Sequence, residues 1–123
     1  MREILFRGKK SKDGQWAKGL LVKDVKGHMR IQFNPTAFSV VVIPETVGQF
    51  TGLTDKSGVN IFEGDICRDS EGKYMVVSWS KKFASWVLNR KGWAFSHWFG
   101  ESCNPEDVEV VGNIYDNPEL LNP

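Results

Sequence analysis

Four carboxylates, Asp55, Glu63, Asp65 and Asp69, sit within the stretch TGLTDKSGVNIFEGDICRD, punctuated by Gly52, Gly58 and Gly64. Side chains of this type can bind a hard cation or share acid and base roles. A calcium loop of the EF-hand kind places oxygens at its first, third and fifth positions, Gly at the sixth and Glu at the twelfth. Counted from Asp55, Gly58 is fourth and Ile66 twelfth, so the pattern fails where the ion needs it most. Glu63 and Asp65, one residue apart, would share one face of a strand roughly 7 Å apart, which suggests a glycosidase-like pair. Gly64 between them favours a bend instead, and two acids beside a glycine more often satisfy the amides of a turn. Asp55 and Ser57 can accept N–H bonds within such a turn, with Gly58 relieving its steric load. The acids Asp55, Glu63 and Asp65, with Gly58 and Gly64, are therefore assigned to turn structure and not to catalysis.

A second constellation is SWSKKFASWVLNRKGWAFSHW, in which Trp79, Trp86, Trp93 and Trp98 interleave with Lys81, Lys82, Arg90 and Lys91. Aromatic faces stack on bases while cations meet phosphates, the logic of a single-strand nucleic-acid surface. Burying one such ring removes about 150–250 Å² from water at about 25 cal/mol per Å². Four exposed rings would forfeit an amount comparable with the net stability of a domain, about 5–15 kcal/mol. Most are therefore expected inside, and nucleic-acid binding through Lys81, Lys82, Trp86, Arg90, Lys91 and Trp93 is the second reading. The cations Arg7, Lys9, Lys10 and Lys12 crowd one turn, where exposed lysines commonly block edge pairing.

Other chemistry finds no support. His28, His97, Cys67 and Cys103 lack the close spacing of a zinc site. Gly72-Lys73 lacks the flanking residues of a phosphate loop. No cofactor or metal is expected, and the chain is read as no enzyme.

These residues are carried by strands. Short runs rich in Val, Ile, Phe and Trp alternate with Gly, Asn and Asp, and few windows hold a 3.6-residue period. EILFRG and QWAKGLLV flank KKSKDG, whose Asp13-Gly14 predicts a first hairpin. HMRIQF alternates as a half-buried strand does, and FSVVVIP reads as a strand covered on both faces until Pro44 stops it. Pro44 to Phe50 reads as a bridge. Further strands are expected in VNIF, DICRD, KYMVVSW, SWVLN, WAFSHWF and VEVVGNIY, while Asn104-Pro105-Glu106-Asp107 predicts one helical turn. The pattern predicts a mainly β protein, with an N-terminal β-rich lobe over 1–45 and a C-terminal small barrel with an acidic tail over 46–123.

The chain has 123 residues, 41% hydrophobic and 25% charged, with net charge +1. That suits one compact unit or two small lobes. Its longest apolar runs are far short of the roughly 20 residues that span a bilayer, and its amino terminus lacks a secretory pattern, so no membrane and a cytoplasmic location are expected. Met1 to Arg30 carries nine Lys/Arg against three Asp/Glu, whereas Glu101 to Pro123 carries six acids and no Lys/Arg. Opposite ends of this kind favour self-association or closure of one molecule on itself.

REILFRGK, VIPETVGQFTGLTDKSGVNIFEGDI and VVGNIYDNPELL, in that order, resemble the YopX family of small proteins encoded by bacteriophages and prophages. The resemblance implies an SH3-type form for the C-terminal barrel, a bacterial host cell, and no catalytic residues to carry over. The expected function is a non-enzymatic accessory protein that binds a protein partner, most simply as a homo-oligomer. Ser70 to Pro105 carries no motif of the family.

Overall fold

The structure, a computed structural model, describes residues 3–33, 36, 38–90, 97–99 and 103–122. The strands form two antiparallel sheets, in the orders β4-β3-β2-β1-β5-β6 and β10-β9-β8-β7-β11. They are β1 (Phe6–Lys9), β2 (Trp16–Lys23), β3 (Met29–Gln32), β4 (Ser39–Val41), β5 (Gly48–Thr54), β6 (Asn60–Phe62), β7 (Asp65–Arg68), β8 (Tyr74–Ser80), β9 (Ser85–Asn89), β10 (His97–Trp98) and β11 (Glu109–Asn113). The chain divides into two compact units, Met1–Phe50 and Thr51–Pro123.

In the first unit, β1 and β2 form the expected hairpin, pairing Phe6 with Gly19 and Lys9 with Trp16. Gly14 takes φ +74° at its turn, and its N–H donates to the Lys10 carbonyl at 2.8 Å. β3 pairs β2 on one side and β4 on the other. The expectation that FSVVVIP is covered on both faces needs correction. Only the three residues of β4 are strand, Val40 and Val41 are half-buried, and Phe38 and Ile43 are exposed. The reason is position, since past β4 the chain meets β1 again. Lys10 bridges Val42 antiparallel, the Ser11 N–H donates to Val41 O at 3.0 Å, and the Ile43 N–H donates to Lys9 O at 2.8 Å. Val42 is thereby driven into the core with Ala17 and Ile31, flanked by Phe6, Leu21, Met29, Phe33, Val40 and Val47.

β5 lies in a segment read from the sequence as a bridge followed by a turn. Its glycines hid it, for Gly52 takes φ +87° inside the strand. Thr51 accommodates that kink, its buried hydroxyl donating to Ile61 O at 2.8 Å and accepting the Leu53 N–H at 3.1 Å.

In the second unit, β7, β8, β9 and β10 form consecutive antiparallel pairs, and β11 returns beside β7. Alternation places Cys67, Met75, Val77 and Leu88 in one core with Ile61 and Val108. Each fully buried aliphatic of this kind is worth about 1.5–3 kcal/mol. Before β11, Pro105–Asp107 makes a single 3-10 turn, but Asn104 makes no side-chain cap. Its backbone carbonyl accepts the Asp107 N–H at 3.1 Å instead. Among the described residues no helix is long and apolar enough to cross a membrane.

Candidate functional site

Of the carboxylates that prompted the catalytic question, Asp55, Asp65 and Asp69 are bonded to backbone amides. Asp55 is 5% exposed. Its Oδ1 accepts the N–H groups of Ser57 at 2.8 Å and Val59 at 2.9 Å, and its Oδ2 accepts that of Val110 in β11 at 2.9 Å. Burial pushes its pKa up, but the three N–H bonds and neighbouring Lys56 outweigh burial and hold it below the ordinary carboxylate value. Asp65 is 1% exposed and its Oδ2 accepts the Phe62 N–H at 2.7 Å. Gly64, at φ +90°, donates its N–H to Val77 O at 2.8 Å and accepts from the Ile114 N–H at 2.9 Å. Glu63 is half-buried at the same turn. With Asp65 enclosed, the pair presents no open cleft in which two carboxyl groups could flank a substrate.

Asp55 belongs to a device used three times, which was overlooked in the sequence although D-x-x-G repeats legibly as DVKGH, DKSGV and DSEGK. In each loop the Asp carbonyl accepts the Gly N–H at 3.0 Å, and the Asp N–H donates to the carbonyl of the fifth residue, at 3.0, 2.8 and 2.9 Å. The Asp carboxylate also accepts the third and fifth N–H groups of every loop. Gly27, Gly58 and Gly72 supply φ of +88°, +81° and +80°. This is the three-residue hairpin loop, a type I turn closed by a left-handed glycine. The copies differ at their second oxygen. Asp24 Oδ2 faces His28 at 3.3 Å and Arg30 at 3.5 Å, Asp55 Oδ2 meets the Val110 amide, and Asp69 Oδ2 faces Arg90 at 3.9 Å.

Cys67 is enclosed beside these acids; burial, then Asp65 and Asp55, pushes its thiol up to about 12. Burial, with Asp69 and Asp107, likewise raises Cys103. Neither thiol is poised as a nucleophile. Among the described residues no group of His, Cys, Asp or Glu is arranged to hold a metal ion.

The aromatic and basic residues give a more open arrangement. β8 and β9 pair Trp79 with Trp86 and Ser80 with Ser85, so Lys81, Lys82, Phe83 and Ala84 form the tip. Trp79 and Trp86 share the face that Val77 and Leu88 bury further along, but lie past the end of that core. Their rings meet edge to face at 5.0 Å. Trp86 is half-buried against the core, whereas Trp79 is 45% exposed. Trp98 pairs with Val87 and so faces the other way. It is 40% exposed and meets Phe83, 54% exposed, at 5.6 Å. Lys82 Nζ lies 5.4 Å from the Phe83 ring centre.

Of the described tryptophans, Trp86 packs on the core while Trp79 and Trp98 stay exposed on this chain, because the hairpin runs beyond the core and its rings shelter one another. Lys81 and Lys82 are exposed. Arg90 lies at the far end of β9 beside Asp69, away from the tip. Lys91, Trp93 and Phe95 lie outside the described residues.

Together the fold and this tip define a class, a small two-unit β protein whose acids bond its turns and whose aromatic rings reach solvent. The model of the YopX protein family matches residues 5–122, and the chain belongs to that family. Among curated proteins no significant sequence match was found. Among solved structures the chain is similar to protein EF1440 from Enterococcus faecalis, at 20% identity and TM-score 0.62, covering 98% of this chain and 99% of that one. At that identity the likeness concerns the fold.

Proposed function

We propose that this chain is a non-enzymatic accessory protein of a phage or prophage, acting in the bacterial host cytoplasm as a protein-interaction module. Its second unit is an SH3-type small barrel. Support for that form comes from the order β11-β7-β8-β9-β10, with the last strand returning beside the first, and from the 3-10 turn ahead of it. The partner is most simply another copy of the chain. The observation that carries this reading is the aromatic tip: Trp79, Phe83 and Trp98 expose large apolar rings beside Lys81 and Lys82, the composition of a binding patch with a polar rim. The acidic segment before the carboxyl terminus offers a complementary surface on a second copy.

Light scattering across a concentration series tests it. Mass should rise with concentration, and Trp79→Ser combined with Phe83→Ser should abolish the rise while leaving the urea midpoint close to wild type. A monomer at every concentration would remove self-association.

Single-stranded nucleic-acid binding is the alternative, favoured by the cation–aromatic pair at Lys82 and Phe83. It predicts quenching of tryptophan emission by an oligonucleotide, weakening steeply with salt. Emission unchanged at low salt would exclude it. The alternative is weaker because Trp86 packs on the core and Arg90 faces Asp69.

A further inference from the structure

At the opposite end of β8 from the aromatic tip, a groove of about 730 Å³ lies between the sheet and the 3-10 turn Pro118–Leu121. Tyr74 and Trp79 are five residues apart on one strand, about 17 Å, so groove and tip are separate surfaces. Tyr74, Val76, Leu120 and Leu121 give the groove apolar walls. Its cations are already matched, for Lys73 Nζ lies 3.3 Å from Glu71 Oε2 and Arg90 Nη1 lies 3.9 Å from Asp69 Oδ2. Glu119 on the turn is exposed, and the turn carries no basic residue. The groove therefore suits an apolar occupant that brings positive charge to its rim, and not an anion.

Phe83 and Trp98 have that chemistry. Their rings are 54% and 40% exposed and meet at 5.6 Å. Lys81 and Lys82 beside them are exposed, and neither pairs with an acid among the described residues. Cross-strand pairing sets Trp98 and the groove on one face of the sheet. Val76 lines the groove, Ser78 two residues on shares its face and pairs with Val87, and Val87 pairs with Trp98. Met75 and Val77 point the other way, into the core. One face thus carries a cationic aromatic end and an apolar end with an acid at its rim. We infer that the chain forms a two-fold dimer in which Phe83 and Trp98 of each copy enter the groove of the other, with Lys81 and Lys82 against Glu119. A copy turned end over end makes both contacts at once, as a two-fold axis requires. A tip meeting another tip would instead set Lys81 and Lys82 against their own kind, which repels, and would leave the leucines uncovered. This dimer rests on the self-association proposed above and adds the surface that receives the tip.

Sedimentation equilibrium of the full chain tests it. Mass should rise with concentration to that of two chains and stop there. Leu121→Arg puts a cation where Lys81 and Lys82 must approach and should weaken association at least about tenfold. Trp79→Ser combined with Phe83→Ser should do the same from the other side. Mixed in equal amounts, these two variants keep one intact tip and one intact groove, so the mixture should associate more tightly than either variant alone. Glu119→Lys, at an exposed position, should weaken the dimer about threefold, and it carries the test if far-UV circular dichroism shows that Leu121→Arg does not fold. A mixture no tighter than its components, Leu121→Arg and Glu119→Lys chains that associate as wild type does, or a mass that passes two chains would overturn this dimer while leaving self-association through the tip. A wild-type chain that is monomeric at every concentration would remove both.

Discussion

Asp55→Asn tests most directly what the acids are for. The wild-type carboxylate accepts three backbone N–H bonds at 2.8, 2.9 and 2.9 Å while 5% exposed. Asparagine keeps the shape but has only one oxygen. If that oxygen keeps Ser57 and Val59, the new amino group points at the Val110 N–H, leaving two donors face to face. The loss is one charge-assisted bond, about 1.5–3 kcal/mol, together with the desolvation of an amide left without an acceptor. A destabilisation of about 3 kcal/mol follows. Asp69→Asn is the matched control, because its loop has the same backbone bonds but its second oxygen meets only Arg90 at 3.9 Å. It should cost about 0.5–1 kcal/mol.

Urea unfolding at neutral pH, followed by circular dichroism, measures both. Equal costs at the two positions, or an Asp55→Asn cost below about 1 kcal/mol, would refute the argument that the Val110 bond distinguishes them. The pH dependence gives a second arm. The folded pKa of Asp55 lies below its unfolded value, so the unfolded chain takes up the proton first. The stabilisation is present at neutral pH and is lost as pH falls from about 5 towards the folded pKa. The variant should show a flatter acid limb, retaining the slope that Asp24 contributes in the same direction, where the His28 N–H bond leads the lowering despite opposing desolvation.

Ala84 takes φ +49° in the β8–β9 tip, the strained left-handed region for a side-chain-bearing residue; Ala84→Gly should raise stability by about 0.5–1 kcal/mol in the same urea assay. Gly64→Ala should lower it by about 2 kcal/mol, since φ is +90° and the new Cβ would stand 3.3 Å from Tyr115 Cε2. Cys67, with its thiol pushed up to about 12 and fully buried, should resist alkylation at mildly alkaline pH until urea opens the chain, as read by mass spectrometry. Val77→Ala should cost about 2–4 kcal/mol through the cavity it leaves in the second core.

Elements with strong alternation and conventional turns were legible in the sequence. Met29, Ile31 and Phe33 announced β3, and Asp13-Gly14 announced the first hairpin. β5 was not, because Gly48 and Gly52 weaken its pattern, and it is held in the folded chain by its pairing with β1 and by the Thr51 hydroxyl bonds. The coverage of FSVVVIP was misjudged because the return to β1 through Lys10 and Val42 is long-range and leaves no local mark. At the aromatic stretch, burial was argued from ring area and strand alternation. The sequence could not tell that Trp79 and Trp86 fall two pairs beyond Val77 and Leu88, at the margin of the core. The acids were readable as turn formers from Gly58 and Gly64, but the reach of Asp55 to Val110 across 55 positions was not.

The three matching loops also bear on how this chain can vary. In each, the two residues between Asp and Gly, Val25-Lys26, Lys56-Ser57 and Ser70-Glu71, have exposed side chains, while the backbone beneath them is fixed by the same set of bonds. Six tip positions can thus change their lettering with little effect on strand register. Mutational drift there is insulated from folding, and new surface contacts can be tried at those corners without disturbing the sheets they join.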